Sequence, residues 1–385
     1  MAIDSSTFSW LPDHHRHVAY TLAHVDKLIG ELAGILFSYL DDGPFKFANQ
    51  NWNDRSYVVL RDVRALPESV PRIFADATTQ LRAAIEHTIY TQVEHELGTT
   101  AQNADFDGRG IEMPAHLEEQ AFAKWSNDSR RKLIGSLQPG STLHARIRSL
   151  QPFLSEDPER HPMRVLAEYT NFAKHRSPSI ANVGIGPVIP DFESEGLNVA
   201  AGAGSRLRPA KVGDVVASGP RGVLVPLSIC PNIAVQQPHT QDWNVLMHEL
   251  NNVAEWVRRT AIPTLITGSS DVAALPPGLD LRVAHEDFSS ALLAANRTTS
   301  FERNQRRIMA HGVRDGLADV LSAGDNPRVE YEAALTWART LDDADVLARM
   351  SVLEKVAGAG DLAEAERLVG AIVQEVLESA PLDAS

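Results

Sequence analysis

The chain has 385 residues, a formal net charge of −14, 43% hydrophobic and 22% charged residues. That length suits two or three domains with a sizeable core, and the composition is globular rather than disordered. The acidic balance repels phosphate backbones, so a nucleic-acid site would need a local basic concentration, and no long basic run supplies one.

The opening "MAIDSSTFSWLPDHH" lacks a positive stretch followed by an apolar core and predicts no signal peptide. Val18, Leu22, Val25, Ile29, Leu32, Leu36 and Leu40 recur at spacings of three and four, which predicts a long amphipathic helix over 13–40. Its most apolar stretch is interrupted by Glu31 and is shorter than the roughly 20 apolar residues a bilayer needs, so no membrane association is expected. His14, His17 and His24 lie along the border of the apolar stripe. With no carboxylate four residues after His14 or His17, they read as boundary histidines rather than metal ligands. Gly43 and Pro44 break the helix, and "SYVVLRDV" predicts a short strand.

A second long helix is expected over 68–97, closed by Gly98. Phe74, Leu81, Ile85 and Ile89 form its core face, while Asp76, Gln80, His87 and Glu94 stand opposite. A loop over 99–112 and short helices near 114–126, 128–137 and 142–149 follow. Then comes an amphipathic helix over 161–175, stopped by Ser177 and Pro178. On it Arg164, Glu168, Asn171 and His175 fall within about 60° of one another. Lys174, His175 and Arg176 crowd its last turn, where positive charge complements the helix dipole.

This stripe is the first candidate site. His175 would act as acid or base, Asn171 and Arg176 would hold an anion, and Arg164, Glu168 and Lys174 would line a groove opposite Gln80 and His87.

Residues 178–233 are spaced by Gly, Pro and Asp and predict a small antiparallel β-hairpin insertion, with Gly202 and Gly204 as hairpin glycines. The lone cysteine, Cys230, excludes an internal disulfide and reads as a small buried residue in or beside a strand. A helix over 241–262 and a Gly/Ser/Pro-rich linker over 267–280 precede a helical C-terminal module, 281–385. Thr299 with Glu302, and Asp361 with Glu364, make capping-box patterns there.

"FADATTQLRAAIEHTIY", "IGSLQPG" and "HPMRVLAEYTNFAKHR" together resemble an uncharacterised family of bacterial helical proteins. Its members pair an "NLRSALDHL"-like helix with a later "N.DKHR"-like helix and then β hairpins. The likeness covers roughly residues 65–265. Ile85-Glu86-His87 departs from the usual Leu-Asp-His, and Ala173 from the usual Asp. The resemblance implies a fold and a pair of polar helices, not a reaction. A looser analogy is to HEPN-type helical ribonucleases, whose motif places four to six residues between an Arg and a following His. Arg82 with His87, Arg109 with His116 and Arg306 with His311 fit it, and random placement yields about three such matches.

No P-loop, no Gly-x-Gly-x-x-Gly after a strand and no Gly-x-Ser-x-Gly elbow is present, and no metal or cofactor is expected. The sequence therefore predicts a mainly α protein. A helical bundle over 1–266 carries the β insertion, followed by the linker and the C-terminal module. Its expected role is that of a cytoplasmic, non-enzymatic interaction or regulatory module with a protein partner or as a homo-oligomer. The alternative is a metal-independent HEPN-like ribonuclease or toxin of phage defence acting on RNA, with His175 or His311 as base and Asn171, Arg176 or Arg306 holding phosphate.

Overall fold

The structure is a computed structural model that describes residues 6–98, 108, 110–176, 181–199, 207–323 and 329–379. Arg109, Ser177, Pro178, Gly202 and Gly204 lie outside these residues. The fold is mainly α, with two small antiparallel sheets.

A 3-10 turn at Asp13–His15 leads into α1 (Arg16–Asp41), whose stripe Val18, Leu22, Val25, Ile29, Leu32 and Leu36 is buried. Strands β1 (Phe45–Trp52) and β2 (Arg55–Val63) form a hairpin, and α2 (Ser69–Leu97) packs back along α1. Gly98, at φ 64°, ends α2 in the left-handed region that glycine enters at least cost. Buried Val70, Phe74, Leu81, Ile85 and Ile89 fill the seam with α1, each such side chain contributing roughly 1.5–3 kcal/mol.

Helix α4 (Thr142–Ser149) matches expectation and α3 (Glu119–Ser126) starts later than expected, while 128–137 holds only turns and a 3-10 turn at Gly135–Leu137. Buried Arg131 explains the difference. Its guanidinium donates to the carbonyls of Gly110 and Trp125 and pairs with Glu112, which fixes a non-helical path. Helix α5 (Pro162–His175) packs on α2 through the Tyr169 ring, edge-on to Phe74. The Tyr169 hydroxyl donates to Glu249, which also accepts from Gln237 at 2.6 Å.

Strands β3 (Ala181–Pro190), β4 (Asn198–Val199), β5 (Val215–Pro220), β6 (Leu227–Gln236) and β7 (Trp243–Val245) complete the sheets. The four-stranded sheet runs β1-β2-β5-β4 and the three-stranded one β3-β6-β7. The hairpin between α1 and α2 therefore joins the later β region through β2 and β5, so the β part is more than an insertion at 178–233. Cys230 lies exposed on β6, contrary to the expectation of burial. Strand alternation places its neighbours Ile229 and Pro231 on the less exposed face.

Helix α6 (Leu246–Trp256) continues through a π turn at Val257–Ala261 into α7 (Ile262–Thr267). Pro263 cannot donate the next helical bond, and the wider turn accommodates it. Leu275 and Leu279 are buried in the same core as α1 and α2, so the 267–280 stretch is packed. Helix α8 (Phe288–Ala294) adds Phe288 and Leu292 to that core.

The chain divides into two compact units, with the boundary at residues 301 and 302, inside α9 (Ser300–Ser322). The second unit continues with α10 (Tyr331–Thr340), α11 (Asp343–Gly358) and α12 (Leu362–Ser379) around its own core of Leu317, Leu321, Trp337, Leu353 and Ile372. Among the described residues, no helix is long and apolar enough to cross a membrane.

Candidate functional site

A group of titratable side chains gathers where the Asp13–His15 turn and the start of α1 pack against the C-terminal half of α2. Five imidazoles form a row there, in the order His95, His14, His15, His17, His87. Successive ring centroids are 4.0, 4.5, 6.1 and 6.2 Å apart. The 3.6-residue period of α2 cannot align His87 with His95 on one line, so the two ends of the row stand on different edges of that helix. The tight turn before α1 projects His14, His15 and His17 toward both.

His14 and His95 are stacked, with planes 12° apart. His15 is wholly buried, and its Nε2 lies 3.2 Å from Gln92 Oε1. Gln92 donates its own amide to Glu96, so its oxygen faces His15 and the imidazole proton is assigned to Nε2. His15 Nδ1 and His17 Nε2 are buried without hydrogen-bond partners. Around the row stand Asp13, which takes Arg16 Nη2 at 2.6 Å, and Arg16 itself, whose guanidinium lies over the Phe288 ring. Asp287 interacts electrostatically with Arg16, and His285 stacks on Tyr20 nearby.

Burial is the main force on these groups, because a desolvated imidazole resists charge. It holds His15 down to about 4 from an ordinary value of 6.5, against the Gln92 hydrogen bond and with help from His14, His17 and His95. His14 is lowered by burial and by His95, opposed by Asp13. His17 is lowered by burial and by His87. His14, His15 and His17 are therefore packed as neutral rings.

Two charges 4 Å apart repel by about 1 kcal/mol in water and ~4 kcal/mol at an effective dielectric of 20, so His14 and His95 cannot both ionise at no cost in this geometry. The linkage has one sign. Lowered values mean that an opened seam binds protons more tightly than a closed one. The closed seam keeps its full stability above about pH 6.5 and loses it as pH falls toward the value of His15, about 4.

Parallel stacking also sets the lone pairs of His14 and His95 side by side instead of converging on one point. In keeping with this, no three His, Cys, Asp or Glu side chains among the described residues are arranged to hold a metal.

Compared with protein-family models, curated proteins and solved structures, the chain finds no match. The reading of the site therefore rests on its chemistry.

The residues singled out in the sequence are dispersed. Arg164 sits between Glu159, at 3.2 Å, and Glu168, an i, i+4 partner. Asn171, Lys174, His175 and Arg176 are exposed, and the Arg176 guanidinium lies over the Phe172 ring. Gln80 is half-buried on α2. His87 stands beside His17 of α1 rather than facing α5, because α5 meets α2 with its apolar side. Arg82 is bound to Glu86, and Arg306 and His311 are exposed on α9. Residues five apart on a regular helix diverge by about 140°, which separates the last two.

One nucleophile–base pair does form, Ser126 Oγ with His144 Nε2 at 2.9 Å, but Ser126 is wholly buried and also donates to Phe122 O. No substrate reaches it in this fold, and it serves packing between α3 and α4. Of the histidine row, the sequence reading caught His14, His17 and His87 separately. It missed His15 and His95, and with them the row.

Proposed function

We propose that the chain is a non-enzymatic regulatory module whose state is set by protons at the histidine seam. The observation that carries this is the face-to-face packing of His14 on His95 at 4.0 Å, continued through the buried His15 to His17 and His87. Burial holds His14, His15 and His17 low, so acid favours the state in which the Asp13–His15 turn lifts from α2 and these rings reach water and take up protons. The output is a change in the surface that residues 13–18 and the end of α2 present to a partner.

The ribonuclease alternative asks for a base, a phosphate-holding cation and a cleft in one place. The exposed, divergent His175, Asn171, Arg306 and His311 lend that arrangement no support.

Hydrogen exchange of the full chain at about pH 7.5 and about pH 5.5 tests the proposal. Amides of residues 13–18 and 87–97 should lose protection at the lower pH while those of α5 and α6 keep it, and His95→Gln should abolish the difference. Protection that stays constant, or that falls uniformly through the core, would show that the row is packing and nothing more.

A further inference from the structure

Independently of the seam, we propose that the outer edge of β1 pairs with β1 of a second copy of this chain, joining two four-stranded sheets into one of eight strands. The hairpin closes through the two-residue turn Asn53-Asp54, with Trp52 opposite Arg55 and Asn53 at φ 54°. Residues flanking such a turn exchange both backbone bonds, so Trp52, Gln50 and Ala48 turn theirs toward β2. Bonds on the other side of β2 agree. Arg221 N donates to Asp54 O at 2.7 Å, and Ser56 and Val58 pair with Gly219 and Ala217. Alternation then points the N–H and C=O of Asn49 and Asn51 away from the sheet, and no other described strand pairs with β1 on that side.

Natural sheets blunt such an edge with lysine, proline, a bulge or a very short strand. From Ala48 to Trp52 this edge has none of them. The one irregularity in the hairpin places its extra residue, Arg61, on β2, so β1 itself runs regularly for eight residues.

What fits the edge is its own image. An antiparallel copy related by a two-fold axis through Gln50 sets Asn49 against Asn51 of the second chain, and Asn51 against Asn49. These are the two residues whose backbone groups point outward, and they supply four hydrogen bonds. In the same register Trp52, 72% exposed, falls opposite the small Ala48 of the second chain. Lys46 falls opposite Asp54, a pair of opposite charge, and no like charges meet along the seam. Size and charge are thus complementary at both ends of the axis, which makes the interface isologous and closed at two chains.

Sedimentation of the full chain is the test. The wild type should have twice the chain mass, and Asn51→Pro should return it to one. That proline deletes an outward N–H and leaves the β1–β2 backbone ladder intact, while removing the Oδ1 that accepts from Ser56 Oγ, so circular dichroism should show the same fold. If Asn51→Pro fails to fold, Gln50→Cys in a Cys230→Ser background decides. On the axis, two such thiols are close enough to be joined by an added oxidant such as diamide, giving a covalent dimer. A wild type of one chain mass overturns the proposal, whether its edge stays bare or takes a strand from another protein. So does a dimer that survives a folded Asn51→Pro, or one in which Gln50→Cys does not cross-link.

Discussion

His15 and His161 are both held down to about 4, and burial is the leading cause in each, yet their surroundings differ. His161 is a solitary ring. It caps α5 by accepting the Met163 N–H at Nδ1 and stands edge-on to Trp256. His15 belongs to a row of five, and its Nδ1 has no partner. A depressed histidine therefore says only that a neutral ring is buried. Whether protonation spreads depends on the next ring, and only the seam has one.

The largest effect separates general acid sensitivity from the seam. Moving a histidine from 6.5 to about 4 makes its protonation in the folded state cost roughly 3 kcal/mol more, so each of the two erodes stability on acidification. His161→Asn keeps a capping acceptor and removes the titration. The fall in unfolding free energy between about pH 7 and about pH 4.5 should shrink by ~2 kcal/mol in this variant, with local opening of residues 13–18 at about pH 5.5 unchanged. Urea titrations at the two pH values measure it. If His161→Asn also abolished the local opening, the contrast between the solitary ring and the row would be lost.

A smaller effect sharpens the contrast at neutral pH. Gln92→Leu removes the acceptor that faces His15 Nε2 and strands a buried N–H, at a cost of about 1–3 kcal/mol. It also removes what opposes burial at His15, so the ring should titrate lower still. Urea unfolding at neutral pH and the ring-proton resonance of His15 report the two consequences. A His15 that titrates higher in this variant would mean that Gln92 is not its acceptor.

How much of this was readable in advance follows from what each feature depends on. α1, α2 and α5 were legible because burial on one side of a long helix repeats every three or four residues, as Val18, Leu22, Val25 and Ile29 do. β1 was not. "FKFANQNW" carries polar residues on both faces toward its end, since an edge strand needs little apolar alternation. The polar stretch over 267–280 read as a linker although Leu275 and Leu279 anchor it in the core. The seam failed for a different reason. His14 and His95 are far apart in the chain and become neighbours only through the packing of α1 on α2, while His15 looked no more special than the histidines beside it.

The smallest expected effect concerns the stripe that first looked like chemistry. His175 and Asn171 end α5 in solvent, and Arg164 and Glu168 spend their charges on each other and on Glu159. Arg164 and Glu168 are half-buried, whereas substitutions of exposed residues such as His175 shift stability by about 0.5 kcal/mol or less. His175→Ala should therefore leave both unfolding free energy and its pH dependence within that range, as read by urea titration across the same pH interval. His87 was paired with this stripe in the sequence, but the structure sets it beside His17, so His87→Gln should shift the pH response where His175→Ala does not. A pH response that moved with His175 and ignored His87 would return the site to α5 and take it from the seam.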